Sequence, residues 1–241
     1  MKNPVYEPSG KAREYSEMAL NLYTGCDHGC EYCYAPSVLK KDRKIFHTEV
    51  KMREGVLEAL EKQCASGSLK GKTVLLCFTC DPYSPAAVKT GATRKTLEIF
   101  NRYEINFNVL TKGGMRAVHD FDLYKPGDSF GTTLTFWDET ESQIWEPSAA
   151  IPYNRNSAIF LAKCRGIKTW VSLEPVIAPE DALFFVSNYH DIVDKWKVGK
   201  WNYDARAKEI DWKSFGNRIE ELFNRLGCDY YIKEDLRKAM A

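Results

Sequence analysis

Apolar residues along the chain alternate between short runs typical of buried strands and longer stretches with helical spacing. Residues 73–79 form a continuous, partly β-branched apolar run, which predicts a strand buried on both faces. Residues 48–64 instead place Val56, Leu60 and Cys64 at intervals of four, which predicts an amphipathic helix. The two patterns then follow one another to the end of the chain.

The later elements alternate in kind. Strands are predicted over residues 18–23, 105–111, 129–136, 167–173, 191–198 and 229–233, and helices over residues 90–103, 115–123, 152–165, 179–189 and 212–226, before a short terminal helix. Such alternation implies an α/β fold with about six βα units and a parallel sheet. We expect a single domain, with an irregular arm at 1–17, a core at 18–200 and a helical extension at 201–241 packed on that core.

Length and charge narrow the classes of function. The chain has 241 residues, with 34 Lys and Arg against 33 Asp and Glu, so overall charge does not indicate nucleic-acid binding, although a local basic patch could. No apolar run approaches the roughly 20 residues of a membrane span. The first ten residues lack the apolar core of a signal peptide. We therefore expect a cytoplasmic protein with no membrane segment, and a monomer.

Three of the eight cysteines lie within eight residues. Cys26, Cys30 and Cys33 have the spacing C-x3-C-x2-C, which allows one short loop to wrap an iron–sulfur cluster. Three thiolates leave one iron of a [4Fe-4S] cluster without a protein ligand, and an open metal position can bind a substrate or cofactor. The clustering also favours metal chemistry in a reducing compartment over a disulfide framework.

Two other interpretations of the cysteines are a structural zinc site and three unrelated thiols. Zinc sites use C-x2-4-C pairs with a fourth Cys or His nearby. His28 lies between two of the cysteines, where it can hardly point at the same metal, and we interpret it as a loop residue.

The cysteine loop, with Tyr32 just before its third cysteine, resembles that of the radical SAM superfamily. This resemblance implies a partial (β/α)6 barrel of the TIM type that holds a [4Fe-4S] cluster and S-adenosylmethionine (SAM). It also implies a reductant such as flavodoxin or ferredoxin. The expected chemistry is reductive cleavage of SAM to methionine and a 5′-deoxyadenosyl radical, which abstracts hydrogen from a substrate.

Within that superfamily the chain resembles the spore photoproduct lyase group. The likeness rests on residues 24–35, on Thr79-Cys-Asp-Pro-Tyr83, on Leu110-Thr-Lys112, and on Glu146-Pro147 followed by Arg155, Gly166 and Glu174-Pro175. It implies a lyase that acts on a nucleic-acid base, as in the repair of a DNA photolesion. The C-terminal third matches only relatives of unknown substrate.

The likeness also indicates residues that seat the cofactor. Lys112 suits the SAM carboxylate as a point charge, with a solvated surface lysine as the alternative. Asp81 and Glu174 each precede a proline at a predicted strand end, where a carboxylate could hold the SAM amino group or a ribose hydroxyl. An Asx-type turn is the alternative for these carboxylates.

Four more residues complete the expected cofactor site. Tyr32 matches a position that contacts adenine, and Thr133 and Thr135 share one face of a predicted strand. Arg155 opens a predicted helix, where the helix dipole disfavours a cation, so it could face the site. A structural ion pair between Arg155 and Glu146 is an equal alternative.

Hydrogen return to the product is less well defined. In the lyase a cysteine returns hydrogen to the product radical. When the aspartate of the lyase motif is aligned with Asp81, Phe78 takes the position of that cysteine and is flanked by Cys77 and Cys80. Cys80 and Cys77 are our candidate donors, and at most one of them faces the barrel if the strand continues, because side chains three apart point to opposite faces. Tyr34 could relay hydrogen or pack under the cluster.

The leading hypothesis is thus a radical SAM enzyme of the lyase-like group that acts on a nucleic-acid base or DNA photolesion. One alternative is radical modification of a small molecule or peptide, and another is a non-catalytic iron–sulfur or zinc module. Trp196, Trp201, Tyr203 and Trp212, interleaved with basic residues, could stack bases or be core aromatics.

Overall fold

The computed structural model describes residues 3–241 and is built on one eight-stranded sheet. Its strands are β1 (Val5–Tyr6), β2 (Met18–Leu20), β3 (Thr73–Leu76), β4 (Asn106–Thr111), β5 (Ser129–Thr133), β6 (Lys168–Val176), β7 (Lys195–Lys200) and β8 (Tyr230–Ile232). They lie side by side in chain order, with β1 antiparallel to β2 and the others parallel. No pairing joins β8 to β1 within these residues, so the barrel is partial.

Helices connect the strands. They are α1 (Ala35–Val38), α2 (Arg43–Thr48), α3 (Val56–Ala65), α4 (Pro85–Thr90), α5 (Ala92–Arg102), α6 (Glu139–Trp145), α7 (Pro152–Cys164), α8 (Pro179–Tyr189), α9 (Trp212–Leu226) and α10 (Glu234–Met240), with 3-10 helices at Gly10–Glu14, Gly114–Leu123 and Ala205–Glu209. The strands β2 to β7, each followed by helix, make the six βα units expected from the sequence. In the part of the chain described, no helix combines the length and the apolar character needed to cross a membrane.

The strands separate a hydrophobic layer from a more polar barrel interior. In β4 the side chains of Phe107 and Val109 are buried in the core, and the Phe107 ring lies 6.2 Å from that of Phe100 on α5. Asn106 and Asn108 alternate with them and are half-buried on the other face. A period of two therefore places polar groups inside the barrel.

The predicted helix over 48–64 is divided. It starts only at Val56, after Gly55 in the left-handed region with φ 63°, and α2 is a separate helix before it. The connecting backbone is paired with the strand end instead, since the Thr24 amide donates to the Lys51 carbonyl (3.0 Å) and the Arg53 amide to the Leu22 carbonyl (2.9 Å). These tertiary hydrogen bonds outweigh local helical spacing.

The segment expected as an irregular arm crosses the open side of the barrel. After β1, its 3-10 helix brings Glu14 to the far edge of the sheet, where its carboxylate accepts from the Tyr231 hydroxyl (3.0 Å) and the Glu234 amide (2.9 Å). The first two residues of the expected arm lie outside the described range.

The C-terminal segment adds both strand and helix. β8 extends the sheet beside β7, α9 packs on α8, and α10 packs on α9 and β7. The division at 1–17, 18–200 and 201–241 stays a prediction.

Candidate cofactor site

The three clustered cysteines lie in the loop between β2 and α1, at the carboxyl end of the strands. Cys30 is buried, and Cys26 and Cys33 are half-buried. Burial raises the pKa of all three thiols, that of Cys30 to about 12. Within residues 3–241 no three His, Cys, Asp or Glu side chains converge at metal-ligand distance. A cluster would therefore require the thiols to turn toward one point and lose their protons.

Arg43 on α2 braces the loop from outside. Its guanidinium donates to three loop carbonyl oxygens, those of Cys30 (2.5 Å), Glu31 (2.6 Å) and Cys33 (3.1 Å). Its neighbour His47, on the same helix, hydrogen-bonds through Nδ1 to the Cys26 carbonyl at 2.8 Å. Because these carbonyls are bonded to side chains of α2, the loop backbone is held in place from the side of that helix.

Close backbone contact requires the glycine at the start of the loop. A Cβ at Gly25 would lie 2.5 Å from the Phe46 carbonyl oxygen and 2.9 Å from that of Glu49. The Cys26 amide then donates to the same Phe46 oxygen at 3.2 Å. A larger residue would force α2 away from the cysteines.

His28 is a loop residue, as expected, and it is 2% exposed. Its Nε2 lies 3.1 Å from Asp81 Oδ2 and its Nδ1 lies 3.2 Å from the Ser148 carbonyl oxygen. Both ring nitrogens thus have protein neighbours, which leaves His28 unsuited to complete a zinc site. The three-thiol set fits a cluster with an open position better than it fits tetrahedral zinc.

Asp81 joins the cysteine loop to the ends of β3 and β4. Besides His28, its carboxylate accepts from the Thr111 hydroxyl (2.6 Å), the Lys112 amide (2.8 Å) and the Tyr83 amide (2.8 Å). Burial raises the pKa of Asp81, but these contacts outweigh it and hold that pKa well below its usual range. The bond from Tyr83 is the Asx-type turn considered from the sequence, and the other bonds make Asp81 a structural junction.

Arg155 and Glu146 form a buried ion pair, the alternative raised from the sequence. Each is 1% exposed, and the Arg155 guanidinium also donates to the carbonyl oxygens of Thr133 (3.0 Å) and Ala150 (2.6 Å). Burial raises the pKa of Glu146, but Arg155 outweighs that effect and the pKa is lowered overall.

The same carboxylate accepts from the Tyr32 hydroxyl, which lies 3.3 Å from the Thr135 hydroxyl. Four predicted site residues therefore lie together beside the loop, namely Tyr32, Thr133, Thr135 and Arg155. Glu146, the ion-pair partner of Arg155, lies with them.

Lys112 follows β4 and faces this group. Its ammonium lies 5.4 Å from the centre of the Tyr32 ring and has no hydrogen-bond or ion-pair partner within the described residues. Its charge lowers the pKa of Cys30 and Cys33, against the larger effect of burial. A half-buried, unpaired cation beside the thiols can accept a carboxylate.

Glu174 lies elsewhere in the barrel and is bonded to protein groups. It accepts from the Tyr15 hydroxyl (2.5 Å) and from the Lys233 ammonium (2.8 Å). Lys197 on β7 lies over the Tyr15 ring at 4.9 Å and donates to the carbonyls of Glu14 and Tyr15, each at 2.9 Å. No pattern in the sequence predicted that the arm would reach this carboxylate.

The three predicted hydrogen donors differ in exposure. β3 ends at Leu76, and both Cys77 and Cys80 are buried within the hydrophobic core, so strand alternation does not govern them. Between them the Phe78 ring lies 6.0 Å from that of Tyr15. Tyr34 is 40% exposed and donates to the Phe78 carbonyl at 2.9 Å.

The turn that carries the two thiols closes on Asn21, which the sequence analysis missed. The Asn21 side-chain oxygen accepts from the amides of Phe78 (2.8 Å) and Thr79 (2.9 Å), and the Cys80 Sγ lies 3.9 Å from the same oxygen.

Most of the C-terminal aromatic residues are core residues, which is the second of the two interpretations drawn from the sequence. Trp196, Trp201 and Trp212 are each less than 9% exposed, whereas Tyr203 is 74% exposed. Three of the four therefore cannot offer an open face to a base.

Comparison with known proteins gives distant relatives. No protein-family model matches the chain. An uncharacterized protein of Acidianus two-tailed virus is 28% identical over 185 residues, which cover 72% of this chain and 60% of that protein. An uncharacterized protein of Methanocaldococcus jannaschii is 25% identical over 178 residues, which cover 73% and 64%. The chain thus spans less than two thirds of the length of these curated relatives.

Solved structures match over nearly the whole chain. Spore photoproduct lyase complexed with dinucleoside spore photoproduct has a TM-score of 0.70 at 12% identity, covering 95% of this chain and 79% of the lyase. Streptococcus suis SuiB bound to SAM has a TM-score of 0.67 at 10% identity, covering 92% and 51%. SuiB bound to its precursor peptide SuiA has a TM-score of 0.69 at 11% identity, covering 92% and 49%. The resemblance drawn from the motifs is confirmed at the level of the fold, since the chain shares the partial-barrel fold of spore photoproduct lyase.

Proposed function

We propose that this protein is a radical SAM enzyme whose cluster is held by Cys26, Cys30 and Cys33. The observation that carries the proposal is the braced three-cysteine loop at the carboxyl end of a partial barrel, with a free cation beside it. With the [4Fe-4S] group bound, the site can supply the electron that splits SAM into methionine and a 5′-deoxyadenosyl radical. The side chains around the cluster would bind SAM and donate hydrogen.

Lys112 is the residue we assign to the SAM carboxylate, because its ammonium has no partner among the described residues. Tyr32 lies beneath that ammonium and is fixed by Glu146, so it offers a flat wall for the adenine ring. We assign Thr133 and Thr135 to the same wall, where the Thr135 hydroxyl lies 3.3 Å from that of Tyr32. Arg155 acts through Glu146 and positions Tyr32.

We further propose that the substrate is a nucleic-acid base, as in a DNA photolesion. Support comes from the motifs shared with the lyase group and from the fold shared with a lyase structure that holds dinucleoside spore photoproduct. Tyr34 is the best placed of the proposed hydrogen donors, since it is partly exposed next to Cys33 while Cys77 and Cys80 are packed in the core.

Reduced, reconstituted protein tests the substrate. It is incubated anaerobically with SAM and dinucleoside spore photoproduct, and the undamaged dinucleoside serves as the control. We expect thymine recovery with the lesion, and a lower yield of repaired product from Tyr34→Phe. Formation of 5′-deoxyadenosine without thymine recovery would reject the lesion as substrate. A peptide would then be the second candidate, on the strength of the fold shared with peptide-bound SuiB.

A further inference from the structure

A basic patch lies next to the cysteine loop of this nearly neutral chain. Residues 35–53 comprise α1, α2 and the strand-like segment after them, and we call them the α1–α2 surface. They carry six basic side chains against two carboxylates, namely Lys40, Lys41, Arg43, Lys44, Lys51 and Arg53 against Asp42 and Glu49. The whole chain has a net charge of only +1. Such a patch attracts an acidic partner.

Some of these basic side chains are bonded to backbone carbonyls, and others have no ion-pair partner within the described residues. Arg43 binds the loop carbonyls, and the Lys41 ammonium donates to the Thr24 carbonyl at 3.1 Å. Lys40 and Lys44 are exposed, and their ammonium groups have no ion-pair partner in the described range. Two free charges thus flank two that hold the loop.

Apolar side chains are exposed among these charges. Val38 on α1 is 57% exposed and Ile45 on α2 is 53% exposed, and the two helices contact each other. Exposed aliphatic groups inside a charged rim are typical of a protein interface. Interfaces with a phosphate backbone are instead more polar and more strongly basic.

The α1–α2 surface is also the outer wall of the cysteine loop. Arg43 reaches the surface and, through hydrogen bonds of 2.5–3.1 Å, contacts the backbone of two of the three cysteines. A protein seated there would bring its own redox group near the loop without entering the barrel, where SAM and substrate would bind.

We propose that the α1–α2 surface docks an acidic one-electron donor protein, an inference that rests on the proposed function. In this step one electron would leave the reduced flavin or iron–sulfur group of the donor and would reduce the cluster that Cys26, Cys30 and Cys33 would hold. No covalent bond forms or breaks, and no proton needs to cross the interface. Lys40 and Lys44 supply charge attraction, and Val38 and Ile45 supply apolar contact.

Binding of oxidised flavodoxin, used as the acidic probe, tests the proposal without turnover. We expect Lys40→Glu combined with Lys44→Glu to raise the Kd at least tenfold at 50 mM salt. A matched control, Lys62→Glu combined with Lys70→Glu, makes the same charge change at exposed lysines remote from the loop, on and just after α3, and should alter the Kd less than twofold. The parent Kd should also rise steeply with added salt.

Turnover with two reductants separates this proposal from the proposed function. With dithionite, both double variants should form 5′-deoxyadenosine at the parent rate, whereas with reduced flavodoxin only the variant at Lys40 and Lys44 should be slow. Unchanged flavodoxin affinity in that variant, or no flavodoxin binding by the parent, would overturn the docking surface. Loss of single-stranded DNA binding with unchanged flavodoxin binding would assign the surface to nucleic acid. Failure of the parent with dithionite would instead reject the radical SAM function.

Discussion

At the scale of single residues, Lys112 differs from the carboxylates predicted to share its role. Asp81 and Glu174 are already bonded to protein donors, whereas the Lys112 ammonium has no such partner within residues 3–241. Asp81 lies in the loop after β3, and Glu174 lies inside β6 because that strand continues to Val176. The donors that bond to these carboxylates lie on other elements of the fold, and no local sequence pattern predicts such contacts.

Replacement of Lys112 should therefore weaken SAM binding and leave the cluster intact. We expect Lys112→Met to raise the Kd for SAM about tenfold or more, because a charge-assisted hydrogen bond contributes about 1.5–3 kcal/mol. Equilibrium dialysis against reconstituted protein measures the Kd, and iron content reports the cluster. Lys112→Arg keeps the charge and should recover part of the affinity. A Kd within twofold of the parent for the Met variant would remove Lys112 from the SAM site.

The buried pair of Glu146 and Arg155 gives a prediction about stability. Arg155→Met should lower the free energy of unfolding by about 3–5 kcal/mol, because it leaves a buried carboxylate without its partner. Arg218→Met, which breaks the exposed ion pair with Glu180 (2.6 Å), should lower the free energy of unfolding far less, because solvent screens that pair. Urea unfolding at pH 7 compares the two variants. Equal losses would contradict the burial and pairing described for Arg155.

At the scale of elements, α2 matters most for the cysteine loop, and the sequence did not reveal it. The apolar spacing over 48–64 predicted one helix, whereas the structure has α2, a paired segment and then α3. Helical periodicity reports which residues could share a face. It does not indicate that the backbone of residues 46–53 forms hydrogen bonds with the backbone of residues 22–26. Longer elements such as α9, with its regular apolar face, begin and end where predicted.

Loss of the α2 brace should loosen the loop. We expect Arg43→Met to retain less iron and sulfide after anaerobic reconstitution and gel filtration, on the order of half the parent content, because three carbonyls lose their donor. Lys44→Met removes a neighbouring charge that does not contact the loop and is the matched control. Parent-level iron in Arg43→Met would show that the cysteines hold a cluster without the brace.

At the scale of the whole molecule, the N-terminal arm joins the two edges of the open barrel. It places Tyr15 between Glu174, Lys197 and Lys233, so that charges from β6, β7 and the residue after β8 meet inside the sheet. Alternation of strands and helices was enough to predict the α/β class and six βα units. The closure of the open side depends on contacts between residues over 180 positions apart, such as Lys197 with Glu14, and local patterns cannot specify those.

Lys197 makes this closure sensitive to pH. Burial lowers the pKa of Lys197 to about 8, helped by Lys195 and Lys233 and opposed by Glu14 and Glu174. Between pH 8 and the usual lysine pKa of about 10.4, the unfolded chain binds more protons at this site than the folded chain. The contribution of Lys197 to stability should therefore rise with pH across that window.

Urea unfolding of the parent and Lys197→Met at pH 7.5, 8.5 and 9.5 tests this expectation. The parent should gain stability relative to the variant as pH increases. Subtracting the unfolding free energy of the variant from that of the parent at each pH removes the contribution of other titrating groups. A constant or falling difference would mean that Lys197 keeps an ordinary pKa in the folded protein.

Formation of 5′-deoxyadenosine from SAM reports directly whether the three cysteines hold a catalytic cluster. Reconstituted protein, reduced with dithionite under anaerobic conditions, is incubated with SAM and compared with the variant in which Cys26, Cys30 and Cys33 are all replaced by alanine. We expect 5′-deoxyadenosine and methionine from the parent, and neither product nor iron–sulfur absorption from the variant. Equal iron content and equal SAM cleavage in the two proteins would contradict the assignment of these cysteines. A parent that carries a full cluster and cleaves no SAM would contradict the proposed enzyme.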